Sequence, residues 1–200
     1  MADGYGQSLA AAMPYTHGEA TFVLGRTDLD AFPHGFAEFR QQIDPDIENI
    51  RLQGQFGHDV VGDDRASAIV GNAGDNQLFG GGGEDRIWGG DGDDWLEGGD
   101  DADMLYGGGG DDTFVLGLHE GGDQVFDHQG RNTLRLTGAD PDQLSAVMQG
   151  DDLVLTHADR VVATLQDYAG HAQSFVGIDL GHGVRGLDEF IDEPAARAMA

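Results

Sequence analysis

The sequence predicts an all-β protein: a flattened coil of short parallel strands, capped at both ends. Three observations predict it. Between residues 71 and 115, glycine pairs, aspartates and one bulky apolar residue recur every nine residues, a period that belongs to neither a helix nor an ordinary strand. Glycine reaches 34 of 200 residues, too many for a helical bundle and without the every-third period of a collagen. Acidic residues number 37 against 10 basic ones, and a formal charge of −27 strains any compact fold unless cations neutralise it.

Residues 1–15 are expected to form a flexible N-terminus and 16–61 an N-terminal cap. Within the cap, THGEATFVLG (16–25) echoes GDDTFVLG (110–117), and both read as buried strand edges. The aromatic-rich DAFPHGFAEFRQQI reads as a short helix or a loop, while IENIRLQGQ (47–55) alternates as a strand entering the coil would. The coil is placed at 62–117. Its units are GNAGDNQLF (71–79), GGGGEDRIW (80–88), GGDGDDWLE (89–97), GGDDADMLY (98–106) and GGGGDDTFV (107–115), preceded by a decayed GDDRASAIV (62–70). Scattered Asp-Gly pairs usually mark loops, and an acidic, glycine-rich chain can be disordered, but a periodic apolar residue argues against both.

A C-terminal β cap is expected over 118–190, needed because an open coil exposes unpaired strand edges. There GGDQVFDHQGRNTLRLTGADP (121–141) closes the coil, and LSAVMQGDDLVLTHADRVVATLQDYAG (144–170) reads as strand, turn, strand, turn, strand. GLDEFIDEPAARAMA (186–200) suits a short amphipathic helix interrupted by Pro194, with 191–200 a flexible tail.

The unit G-G-x-G-x-D-x-U-x, with U large and apolar, resembles the nonapeptide of the RTX, or hemolysin-type calcium-binding, family, over roughly residues 45 to 190. The resemblance implies a right-handed parallel β-roll in which six residues turn, three form a strand, and two units complete a coil. Turns on one edge then lie eighteen residues apart. Glycines at positions one, two and four permit positive φ and close approach of neighbouring turns. Eighth-position Leu78, Ile87, Leu96, Leu105 and Phe114 point between two sheets. Sixth-position carboxylates and turn carbonyls converge, a hard-oxygen set that suits several Ca²⁺ ions.

On one edge the expected ligating residues are Asp75 and Asn76; Gly89, Gly90, Asp91, Gly92 and Asp94; and Gly107, Gly108, Gly109, Gly110 and Asp112. On the other they are Gly81, Gly83 and Asp85, then Gly98, Gly99, Asp100, Asp101 and Asp103. One ion is expected between the turns of Asp94 and Asp112, another between those of Asp85 and Asp103, and a weaker one between Asn76 and Asp94. Asp101 stands where glycine is expected, and aspartate tolerates the left-handed region. Asp123 and Asp127 either bind a last calcium or cap turns. One large apolar side chain per nine residues buries little surface, so the chain is expected to be largely unfolded where calcium is scarce.

The charge repels nucleic acid and anionic lipid. Cysteine is absent, no run approaches the roughly 18 apolar residues of a membrane helix, and the start lacks a basic n-region. H-E-x-x-H, G-x-S-x-G and a Walker loop are all missing. The eight histidines show no metal-ligand spacing, and Asp93 with Asp94 suits calcium better than a glycosidase dyad. No catalytic function is therefore assigned.

The resemblance implies a secreted or cell-surface calcium module, exported unfolded by type I secretion machinery and folded outside on Ca²⁺. One alternative is a carbohydrate- or partner-binding module using an outer column of Val70, Trp88 and Tyr106, with Trp95 on the opposite sheet. The other is a C-terminal fragment of a secreted protease or lipase.

Overall fold

The computed structural model describes residues 20–24, 47–118 and 121–191. The segment DAFPHGFAEFRQQI and both predicted flexible ends, apart from Ile191, lie outside them. Strands dominate: β1 (Ala20–Leu24), β2 (Ile47–Leu52), β3 (Asp59–Val61), β4 (Ala68–Val70), β5 (Gln77–Gly81), β6 (Arg86–Asp91), β7 (Trp95–Gly99), β8 (Met104–Gly109) and β9 (Thr113–Val115). Then follow β10 (Asp123–Phe126), β11 (Asn132–Arg135), β12 (Leu144–Gln149), β13 (Asp152–His157), β14 (Arg160–Leu165), a one-turn helix α1 (Tyr168–His171), β15 (Phe175–Asp179) and β16 (Val184–Arg185).

From β2 to β11 alternate strands go to alternate sheets. One sheet runs β1-β2-β4-β6-β8-β10-β14-β13-β12, the other β16-β15-β11-β9-β7-β5-β3. From β1 to β11 every pairing is parallel, and within the repeats partners lie eighteen residues apart, as in Ile87↔Leu105 and Leu78↔Leu96. The chain is a parallel β-roll, as its period predicts.

The interior is a single file of eighth-position side chains. Leu78, Ile87, Leu96, Leu105 and Phe114 are fully buried, and Ile69 of the decayed unit joins them. Strands β5 to β8 are longer than the three residues expected, because pairing continues through the glycines after the apolar residue, as in Gly81↔Gly99 and Gly90↔Gly108. A residue without a side chain lets the two sheets close at the turn without ending the ladder.

The coil also extends past both ends of the recognisable repeats. Val60, in QGQFGHDVV (53–61), occupies the eighth position and pairs with Leu78. Downstream, Leu116 and Gly117 are a two-residue insertion, after which LHEGGDQVF (118–126) and DHQGRNTLR (127–135) keep the clock. Val125 and Leu134 stand in the eighth position and are fully buried, paired with Leu105 and Phe114.

The C-terminal residues finish both sheets. β14 adds in parallel to β10 and β15 to β11. β12, β13 and β14 form the predicted strand–turn–strand–turn–strand, antiparallel throughout. The β13–β14 turn places Ala158 and Asp159 both at positive φ, the geometry that matches strand twist in a two-residue hairpin. Here the core broadens, with Leu153, Leu155, Leu165, Tyr168, Phe175 and Ile178 buried together. Of the predicted terminal helix, the described part is a single 3-10 turn over Leu187–Glu189.

Candidate metal centres

Each edge of the coil carries a stack of carboxylates. On the first, the backbone N–H of Asn76 donates to Asp94 Oδ1 and that of Asp94 to Asp112 Oδ1, both at 2.8 Å. Asp112 N–H continues the series to Asn132 Oδ1 at 2.8 Å. On the second, Ser67 N–H donates to Asp85 Oδ1 at 2.6 Å, Asp85 N–H to Asp103 at 2.7 Å and Asp103 N–H to Asp123 at 3.1 Å. A sixth-position side chain thus ties its turn to the one before it.

These hydrogen bonds use one carboxylate oxygen and leave the other. Oδ2 of Asp85 and of Asp94 is buried with no hydrogen-bond donor among the described residues. Both residues are almost wholly enclosed, at 1% and 2% exposure. An unmatched buried oxygen with a formal charge is costly, so its recurrence at Asp85 on one edge and Asp94 on the other calls for a cation. The turns leave room for one. A Cβ added to Gly89 would collide with Asp94 Oδ2 and stand 2.6 Å from the carbonyl oxygen of Gly107; one added to Gly80 would meet Asp85 Oδ2 and the carbonyl of Gly98. The first-position glycine therefore keeps open a cradle lined by a carboxylate and a carbonyl. The donor set is oxygen alone, which fits calcium and suits zinc or copper poorly.

The second- and fourth-position glycines serve differently: Gly90 and Gly92 have φ of 123° and 107°, conformations an L side chain resists. Asp101 takes φ 76° in the place of such a glycine, and the turn survives as expected.

The structure brings together Asn76, Asp94 and Asp112 on one edge, and Asp85, Asp103 and Asp123 on the other. Asp91, Asp100 and Asp101 are exposed, so what they offer an enclosed cation is backbone. Asp75 belongs to an outer, exposed row: Asp93 N–H donates to Asp75 Oδ1 at 3.0 Å and Asp111 N–H to Asp93 Oδ1 at 2.8 Å.

Asp123 and Asp127 do not share a site. They sit at opposite ends of β10, and four strand steps of roughly 3.3 Å separate the two edges. Asp127 instead occupies the first position of its unit and reaches the opposite stack, where its Oδ2 and that of Asp112 converge over Gly107. Asn132 is the candidate that the repeat pattern hides, and Asp127, expected beside Asp123, instead meets Asp112; the signal for both is the clock restarted after Leu116 and Gly117.

Burial pushes the Asp85 and Asp94 carboxyls up to about 6, against hydrogen bonds from Ser67 and Asn76 that pull them down. Asp112 is pushed up to about 8, by burial first and then by Asp127; Asp127 is raised as well, again mainly by burial. Without an ion, the folded coil holds protons that the unfolded chain has already released. Their stabilising contribution is complete below the ordinary carboxylate range and is lost as pH rises through about 6 for Asp85 and Asp94 and about 8 for Asp112. Chelated protein is therefore expected to gain stability on acidification from about pH 8 to about pH 5, and Asp112→Asn to flatten that dependence. Far-UV circular dichroism of chelated protein taken from about pH 8 to about pH 5, where β-sheet signal should return, checks it; a loss of that signal on acidification contradicts it.

On the outer face of the larger sheet, Trp88, Tyr106 and Phe126 form the aromatic column. Ring centroids stand 5.3 and 4.4 Å apart, each pair within 10° of parallel. All three are half-buried. The ring faces are turned to one another along the column, so solvent sees mainly edges. Trp95, on the other sheet, lies under the Arg135 guanidinium at 5.1 Å.

A coil of parallel strands with carboxylates stacked along both edges defines a calcium-binding β-solenoid. Residues 61–96 and 88–118 match the RTX calcium-binding nonapeptide repeat, in four copies. Comparison with curated proteins finds no match. RTX repeats bind calcium, and the segment is a calcium-binding module. Among the described residues no helix is long and apolar enough to cross a membrane.

Proposed function

We propose that the protein is a secreted calcium-binding RTX module that folds on Ca²⁺ after export through type I secretion machinery. The observation that carries the reading is the pair of buried, unmatched Oδ2 atoms on Asp85 and Asp94, each beside a carbonyl-lined cradle. Asp94, Asp112 and the carbonyls of the turns at 89–94 and 107–112 would hold one ion, with Asp127 completing it. Asp85 and Asp103 would hold another, with Asp123 continuing that edge. Asn76 offers a neutral oxygen and makes the site it shares with Asp94 weaker. The ion supplies positive charge that cancels carboxylate repulsion and cross-links successive coils; the chain's own residues fix the oxygens and exclude water.

The folded module suits an extracellular setting, where calcium is plentiful and modules of this kind bind at about 10⁻⁴ to 10⁻³ M. Isothermal titration of the full chain is expected to show several Ca²⁺ ions bound in that range, with Mg²⁺ a poor substitute because it demands a tighter octahedral shell. Absence of calcium binding at millimolar concentration would overturn the reading. The aromatic column gives a carbohydrate-binding role little to work with, since a sugar ring stacks on an aromatic face and the stacking already uses both faces of Tyr106 and one face each of Trp88 and Phe126.

A further inference from the structure

His128 and His171 are 43 positions apart in sequence, yet the fold stacks their rings at a centroid distance of 3.9 Å and 16° from parallel. The cause is the parallel pairing of β10 with β14, Val125 opposite Leu165. Two parallel neighbours end on the same edge, so the residue two beyond β10 meets the turn and helix that follow β14. Gln166 N–H donates to the Val125 carbonyl at 2.9 Å, carrying the register past the strand end. Asp167 comes next, pinned by its own N–H to Asp152 Oδ1 at 2.9 Å. One potential ligand atom from each of His128, Asp167 and His171 lies within 4.8 Å of the other two.

The tautomer of His171 is set by its surroundings. Its Nδ1 is 3.2 Å from the backbone carbonyl oxygen of Asp167, and that oxygen can only accept. Nδ1 therefore carries the proton and donates it, which leaves the Nε2 lone pair available. The Asp167 carboxylate lies 3.5 Å from the same Nδ1, on an exposed side chain, and reaches an ion held at Nε2 by rotating, as the two stacked rings must also turn to aim their lone pairs at one point. An imidazole oriented by a carbonyl or carboxylate at one nitrogen, with the other nitrogen free, is the usual arrangement of a metal-ligating histidine.

We propose that His128, His171 and Asp167 form a surface site for a divalent transition-metal ion that prefers imidazole, for which Zn²⁺ is the probe, separate from the oxygen-lined calcium edges. Two nitrogens and a carboxylate match zinc, nickel or copper and mismatch calcium. His128 and Asp167 are exposed and His171 half-buried, so solvent can fill the remaining coordination positions. A bound ion would join the C-terminal cap to the turn that begins at Asp127, the residue that reaches the calcium stack.

The test is Zn²⁺ titration of the full chain by calorimetry in saturating millimolar Ca²⁺, so that the coil is folded and its oxygen sites are occupied. One Zn²⁺ per chain with micromolar affinity is expected. His128→Ala and His171→Ala should each weaken it at least about tenfold while the far-UV spectrum in calcium stays unchanged. Co²⁺ at the same site should give a visible absorption band that both variants lose, and His182→Ala, outside the cluster, should alter neither readout. Failure to bind Zn²⁺ below millimolar concentration, or binding indifferent to His128→Ala, overturns the proposal.

Discussion

Chelation of calcium at neutral pH will remove most of the β-sheet circular dichroism and expand the chain, and millimolar Ca²⁺ will restore both. The reason lies in the balance inside the coil. Each nine-residue unit contributes one fully buried large side chain, such as Leu96 or Leu105, and ordering nine backbones costs on the order of 10 kcal/mol. Against that thin interior stand enclosed carboxylates. A shift of the Asp85 and Asp94 carboxyls to about 6 corresponds to a penalty on the order of 3 kcal/mol each above that pH. Domains are stable by only about 5–15 kcal/mol in all, so a few such penalties decide the outcome. A cation at each cradle reverses the sign of the same interaction, and binding free energy becomes folding free energy. Far-UV circular dichroism with small-angle scattering, in chelator and in calcium, measures it. An identical spectrum and radius in both conditions would defeat the calcium-dependent reading of the coil.

The same chemistry explains what could be read from the residues in advance. The centre of the coil was legible because its glycines and aspartates are tied to positions that geometry makes nearly irreplaceable: Gly89 has no room for a Cβ, and Asp94 is the acceptor for the turn before it. The ends were not, because they keep only the packing half of the code. Val60, Val125 and Leu134 hold the eighth position, but their units have lost most of the glycines, and the insertion of Leu116 and Gly117 shifts the register. Asp127 was legible as an acid and illegible as the partner of Asp112, since that meeting depends on its taking the place of a first-position glycine. The histidine pair was invisible for a different reason: only the β10–β14 pairing brings His128 to His171, and no periodicity encodes a contact between the roll and its cap.

Asp94→Ala will raise the calcium concentration at the folding midpoint by about tenfold or more, equivalent to about 1.4 kcal/mol or more. Three consequences of the substitution act in one direction when calcium is present. The buried Asn76 N–H loses its acceptor, a loss of about 1–3 kcal/mol. The cradle above Gly89 loses its carboxylate, and the two sites that Asp94 joins each lose a ligand. Without calcium the sign reverses in part, because the variant no longer carries a carboxyl raised to about 6 by burial. The apo protein should therefore be affected far less than the calcium-bound one, an asymmetry that a simple packing defect would not show. Asp94→Asn should fall between the variant and the wild type. Asn76 and Asn132 already occupy equivalent positions in the same stack, so the amide can accept the hydrogen bond while lacking the charge. Asp93→Ala, one residue away in the exposed outer row, removes the same formal charge but only the acceptor for Asp111, and should move the midpoint much less. Calcium titrations of the four proteins by far-UV circular dichroism separate these effects. Equal midpoints for Asp94→Ala and wild type would show that the sixth-position stack does not hold the ion.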